Sequence, residues 1–240
     1  MPQDISGYDV GALLYCPANA HHTVAQAVAA ERLPRPFSLA LCLEDTVRAD
    51  ALAAAEQAVE QTLHDLTDTA RQETFYRPLT FVRVRSPEQL ARLGRAYGKY
   101  RPLLTGFILP KFFIETCGAY CAVIRDLQAD ELDYFYMPVF EAPSMLPLHT
   151  RHAALAEVKT QLDECILNIR VGGNDLCHVF GLRRDPGHTI YDLRPVADVL
   201  TDLLTTFAPD YLVAGPVWEY YDGPGWAEGL ARECALDRLN

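Results

Sequence analysis

Charged residues follow nearly every apolar run in this 240-residue chain. Residues 38–43 (SLALCL) lead into Glu44 and Asp45. Residues 79–84 carry Arg83 near their end, with Arg85 just beyond. Lys111 follows residues 106–110, and Glu141 follows residues 134–140. Residues 165–171 run into Gly172, Gly173, Asn174 and Asp175, and residues 211–217 precede Glu219 and Asp222. Glu141 and Asp175 end neighbouring runs. Two carboxylates that leave other positions open suit Mg²⁺, which keeps several waters and takes substrate oxygens. Gly172 and Gly173 allow backbone N–H groups to come close to a ligand, because glycine has no Cβ. The plainer alternatives are that each charge marks where a strand leaves the core, that the acids pair with Arg83 or Lys111, and that Gly-Gly is a turn.

The elements that would position these groups read as alternating strands and helices. Seven apolar segments (12–17, 38–43, 79–84, 106–110, 134–140, 165–171 and 211–217) are mostly continuous rather than alternating. That pattern belongs to strands covered on both faces, as in parallel sheets. Between them, Leu52, Ala55, Val59, Leu63 and Leu66 recur at helical spacing after Asp50, an expected N-cap. Ser86-Pro87-Glu88-Gln89 reads as a capping box with proline at the first helical position. Leu155, Val158 and Leu162 form a further stripe, and Leu193, Val196, Leu200, Leu203 and Phe207 form the cleanest one. The expectation is an α/β fold with a parallel sheet. The C-terminal strand ends of such a sheet share one face, and that face carries the active site. Periodicity alone leaves open whether the sheet is a barrel or a doubly wound sheet.

Composition narrows the function. Hydrophobic residues make up 50% and charged residues 22%, the balance of a globular protein. The 21 Lys and Arg against 32 Asp and Glu leave −11, which argues against a basic face for nucleic acid. No apolar stretch is long enough to span a membrane, and no signal peptide is read at Met1-Pro2-Gln3-Asp4. Seven cysteines, an odd number, suit a reducing cytoplasm. His21-His22, His149 with His152, His178 and His188 read as loop, surface or structural residues. Cys117 and Cys121, one helical turn apart, read as packing. Trp218 and Tyr220 either wall a pocket or simply pack. Arg183-Arg184 either grip a phosphate or carboxylate or pair with Asp185 or Asp192.

Several segments, in order, resemble a known superfamily. Residues 38–47 (SLALCLEDTV) resemble the S-L-V-x-D-L-E-D-A-V strand of citrate lyase beta-subunit-like proteins. Residues 81–85 (FVRVR) resemble V-R-V-N, residues 106–111 (GFILPK) resemble G-I-x-L-P-K, and residues 138–141 (PVFE) resemble P-x-I-E. Residues 169–176 (IRVGGNDL), with 181–184 (GLRR) and 189–192 (TIYD), are closer still to the C–C bond lyase family of tellurite-resistance and stress-response operons. That family is similar to the HpcH/HpaI aldolases.

The resemblance implies a single domain over residues 1–240, a TIM (β/α)8-type barrel incomplete at its C-terminal end, with seven strands visible. It implies a cytoplasmic homo-oligomer that acts on a small-molecule acid. The chemistry would be aldol or Claisen-type cleavage or condensation of a 2-oxo or 3-hydroxy acid through a metal-stabilised enolate. Use of a coenzyme A thioester stays open. Carried over by position, Glu141 and Asp175 would hold Mg²⁺, with Mn²⁺ as the alternative. Arg83 would bind a substrate carboxylate or keto oxygen, supported by Glu44 and Asp45, and Lys111 would orient. Gly173 and Asn174 would contact substrate. Glu44, Asp45 or a metal-bound water are the candidates for general base. There are departures from the pattern. Cys42 stands where the family has an aspartate, Arg85 stands where it has an asparagine, and the last-strand segment G-F-x-G-K-x-x-I-H-P is not reached before Leu239-Asn240. These departures motivate the other reading, a non-catalytic small-molecule binding or scaffold protein on a lyase-like barrel.

Overall fold

The structure is a computed structural model that describes residues 5–33, 35–220 and 222–238, with side chains 20–23 left out. The side chains of His21 and His22, and the residues Leu239-Asn240, therefore lie outside what is described. All seven expected strands form: β1 (Leu13–Pro17), β2 (Ser38–Cys42), β3 (Thr80–Arg83), β4 (Leu104–Leu109), β5 (Phe135–Phe140), β6 (Ile169–Val171) and β7 (Val213–Ala214). The helices are α1 (His21–Ala29), α2 (Leu52–Gln72), α3 (Pro87–Ala96), α4 (Cys117–Ala129), α5 (Leu148–Lys159), α6 (Gly173–Val179), α7 (Arg194–Phe207) and α8 (Trp226–Asp237). None of these is long and apolar enough to cross a membrane. The chain divides into two compact units, Met1–Pro110 with Ala119–Tyr136, and Lys111–Gly118 with Met137–Asn240.

In the first unit β1, β2, β3 and β4 pair in parallel and in sequence order. Every residue of β2 and β3 is buried, which explains their unbroken apolar character. Helix α2 covers the sheet with Ala55, Val59, Thr62, Leu63 and Leu66. Asp50 is not its cap. The chain enters α2 through a short 3-10 turn, and the Asp50 carboxylate pairs with Arg48 instead. Helix α3 starts as expected, with Pro87 in its first turn and the Ser86 side chain accepting the Gln89 N–H at 3.3 Å. The Gln89 side chain turns to the Arg85 N–H rather than closing the box on Ser86. Gly106 of β4 has no room for a side chain, because a Cβ there would overlap the Phe135 carbonyl.

In the second unit β5, β6 and β7 pair in parallel, with Phe140 opposite Val171 and Arg170 opposite Ala214. Its core is an aromatic cluster in which Phe140 meets Phe112, Phe113 and Phe207. Helix α7 buries Val196, Val199, Leu200, Leu203 and Phe207, one face at 3–4 residue spacing. Burying each such side chain contributes about 1.5–3 kcal/mol. Helix α5 is tied to α7 through Arg151, whose Nε lies 2.6 Å from Asp202 Oδ2, and His152 pairs with the same carboxylate at 3.2 Å. Leu162 falls beyond the end of α5.

Candidate active site

The first unit gathers three of the expected residues. Register pairs Cys42 with Arg83, so the loop after β2 starts beside the end of β3. Arg83 is buried, and two acids from that loop grip its guanidinium. Its Nη2 lies 2.9 Å from Glu44 Oε2, and its Nη1 lies 2.6 Å from Asp45 Oδ2. Tyr15 places its ring 6.0 Å from the same guanidinium. Arg85, where the family pattern has asparagine, pins the loop. Its Nε donates to the Leu43 carbonyl at 2.6 Å, and its Nη2 donates to the carbonyls of Glu44 and Val47. Gln89 holds Arg85 in turn and donates its amide to Glu56. Burial raises the Glu56 carboxyl, but hydrogen bonds from Arg92 and Gln89 outweigh this and hold it below the usual carboxylate range.

The second unit gathers Glu141, Lys111 and the Gly172 turn. Glu141 is 2% exposed. Its Oε1 accepts the Lys111 backbone N–H at 3.1 Å. Lys111 is one of the few non-glycine residues with a left-handed backbone, φ +49, which costs about 1–2 kcal/mol. Here that conformation aims its N–H at the carboxylate. Gly172 continues β6 and donates to the Phe140 carbonyl at 3.1 Å. The Glu141 side chain lies directly over its α-carbon, and a Cβ at Gly172 would overlap Glu141 Cβ and Oε2. Glycine is required there because the carboxylate fills the place of a side chain.

Asp175 sits in the first turn of α6, three residues past Gly172, half-buried and without an ion-pair partner among the described residues. Glu141 and Asp175 thus come from the ends of adjacent parallel strands. Among the described residues no group of three His, Cys, Asp or Glu is arranged for a metal. Two carboxylates fit Mg²⁺, which takes one or two from protein and the rest from water and substrate. Gly172→Ala should push Glu141 out of place and cost about 1–3 kcal/mol of stability, which urea melts check.

Gly173 and Asn174 make close contacts within the second unit. A Cβ on Gly173 would meet Pro216 at 2.9 Å and Ile190 at 3.1 Å. Asn174 Oδ1 accepts from Arg184 Nη2 at 3.2 Å. The Arg184 side chain is 1% exposed and does not pair with Asp185 or Asp192. It pairs with Glu233 at 2.7 Å and Glu219 at 3.5 Å, and lies 5.1 Å from the Trp218 ring and 5.7 Å from that of Tyr220. Asp185 pairs with His188, and Asp192 with Arg232. Burial raises the Glu233 carboxyl, with Arg184 pulling the other way. Beside α6 a cavity of about 510 Å³ is lined by Asn174, His178, Arg183, Arg184, Glu219 and Tyr220.

The family model for C–C bond lyases of the TIM-barrel fold matches residues 4–240. The chain belongs to this family. Solved structures share the fold of this C–C bond lyase family member at low identity. RipC from Yersinia pestis is 15% identical, with 97% of this chain and 87% of that chain covered and a TM-score of 0.60. CitE from Mycobacterium tuberculosis, solved with magnesium and acetate, is 23% identical, with 92% and 78% covered and a TM-score of 0.59. Malate synthase from Haloferax volcanii, a lead(II) complex, is 11% identical, with 95% and 66% covered and a TM-score of 0.61. No curated protein sequence matches the chain.

One functional candidate is absent from the sequence-level reading: Arg170 of β6, which is 8% exposed. Its signal was the alternation of Asn168 and Arg170 with Leu167, Ile169 and Val171, which a continuous apolar run conceals.

Proposed function

We propose that the chain is a Mg²⁺-dependent carbon–carbon lyase acting on a 2-oxo or 3-hydroxy acid. Its reaction would be cleavage or condensation of the aldol or Claisen type. The observation that carries this reading is the buried Glu141 carboxylate, locked over Gly172 by the Lys111 N–H, with Asp175 on the next strand end. The family membership supports it, as does a solved structure of the same fold, CitE, which holds magnesium and acetate.

Breaking a C–C bond beside a carbonyl leaves negative charge on an enolate oxygen. Glu141 and Asp175 would hold the metal, which would supply a Lewis acid for that charge, worth several kcal/mol. The protein's share is positioning. Glu141 cannot turn away without losing the Lys111 N–H, so its oxygens are held ready. Within the first unit, Arg83 is the candidate for holding a carboxylate, and Glu44 and Asp45 keep its guanidinium oriented. Lys111 holds the Glu141 carboxylate with its backbone N–H.

The test is turnover of a panel of 2-oxo and 3-hydroxy acids by wild type and Asp175→Asn, with Mg²⁺ and with chelator. Metal-dependent turnover that falls at least tenfold in the variant is expected. Equal rates with and without metal would rule the mechanism out.

A further inference from the structure

Strand β6 carries a buried cation, Arg170, that no carboxylate among the described residues grips. Arg170 is 8% exposed and makes no hydrogen bond or ion pair with any described residue. The other buried arginine side chains behave differently: Arg83, Arg151 and Arg184 are each held by a carboxylate within 2.7 Å. Leaving a buried charge uncompensated costs several kcal/mol. Such a group persists where something else supplies the missing anion.

The strand geometry says where Arg170 points. Phe140 packs on Phe207 of α7, and its register partner Val171 leaves the sheet on the same side. These residues face α7. Successive side chains along a strand leave opposite faces. Arg170 and its partner Val139 therefore face away from α7, and so do Gly172 and Glu141, whose carboxylate is seen lying over Gly172. Asn168 shares that face. It is 1% exposed, and its Oδ1 has no hydrogen-bond partner. The face carries polar groups below the Glu141 carboxylate although the strand is buried throughout.

We propose that Arg170 binds an oxyanion of the substrate, a carboxylate or phosphate separate from the acid group bound with the metal. The substrate class is then a 2-oxo or 3-hydroxy acid with a second anionic group. This inference rests on the reading of Glu141 and Asp175 as metal ligands. A planar guanidinium matches either oxyanion in bidentate fashion.

The experiment compares paired probes in the presence of Mg²⁺ by calorimetry. One pair is 2-oxoglutarate against 2-oxopentanoate, in which a methyl group replaces the terminal carboxylate. The other is 3-phosphonopyruvate against pyruvate. Wild type should bind the dianion of at least one pair more tightly, and which pair responds tells carboxylate from phosphate. Arg170→Met should weaken that dianion about 10–100-fold and leave its monoanionic counterpart unchanged. Arg170→Lys should recover part of the loss. Without ligand, Arg170→Met should melt at or above the wild-type temperature, because a buried charge is removed; a structural arginine would melt lower. No discrimination within either pair by wild type, or equal discrimination by wild type and Arg170→Met, would overturn the proposal. Glu141→Gln in the same titrations separates the two ideas. Retained Mg²⁺ binding there defeats the metal reading. Lost Mg²⁺ binding, together with an Arg170→Met that binds like wild type, defeats only this inference.

Discussion

Glu141→Gln is expected to lose Mg²⁺ binding and to lower turnover by about 10³-fold. Metal stabilisation of the enolate is worth several kcal/mol, and each 1.36 kcal/mol is a factor of ten in rate. Glutamine keeps the volume over Gly172, and its amide oxygen can still accept the Lys111 N–H. The fold should therefore survive, and the melting temperature without metal should stay close to that of wild type. Removing an ionised carboxylate that is 2% exposed also removes a desolvation cost, so the apo protein can become slightly more stable. Calorimetry with Mg²⁺ and initial rates on the responsive acid are the measurements. Unchanged Mg²⁺ affinity would show that Glu141 is a structural acid.

The largest stability effect should come from Arg184→Met. The Arg184 side chain is 1% exposed and its Glu233 partner 3%, and the pair joins the 182–192 segment to α8. Glu233 also accepts the Ile190 N–H at 3.1 Å. Removing the arginine leaves a buried carboxylate without its cation, a loss of about 3–5 kcal/mol. The double variant Arg184→Met/Glu233→Met should regain much of this, since replacing both partners by apolar groups is often close to neutral.

The loss should also depend on pH. Burial already raises the Glu233 carboxyl above the usual range, and Arg184 opposes that rise. Without Arg184 the folded-state value climbs further above the unfolded one. An acid raised on folding contributes stability below its unfolded value and loses it as pH rises through the folded one. The deficit of Arg184→Met should therefore shrink near pH 5 and be largest near pH 8. Urea melts at the two values decide it, and a deficit independent of pH would mean that Glu233 is not the group responsible.

Much of this protein can be read from local pattern. Unbroken apolar runs mark strands buried on both faces, and all seven fall where the runs do, trimmed most at β6 and β7. Helical spacing of Leu, Val and Phe marks α2 and α7, because 3.6-residue periodicity is a property of the chain itself. Charges that follow the runs mark the strand ends, because parallel strands share one direction. The pattern places these charges at strand ends, whereas the association of Glu44 and Asp45 with Arg83 comes only from the family resemblance.

What only the tertiary structure decided are contacts between residues far apart in sequence, which no local pattern encodes. Arg184 has acids one and eight positions away in Asp185 and Asp192, yet folding brings it Glu233 and Glu219. Gly172 reads as an opening for backbone N–H groups or as half of a Gly-Gly turn, and folding sets the Glu141 carboxylate in the place of its missing side chain. Lys111 reads as a cation, and folding also brings its backbone N–H to Glu141. Arg170 reads as a blemish in an apolar run; only strand alternation measured against α7 shows that it shares a face with Glu141. Sequence order assigns residues to elements, whereas burial, counter-charge and close approach depend on which elements pack together.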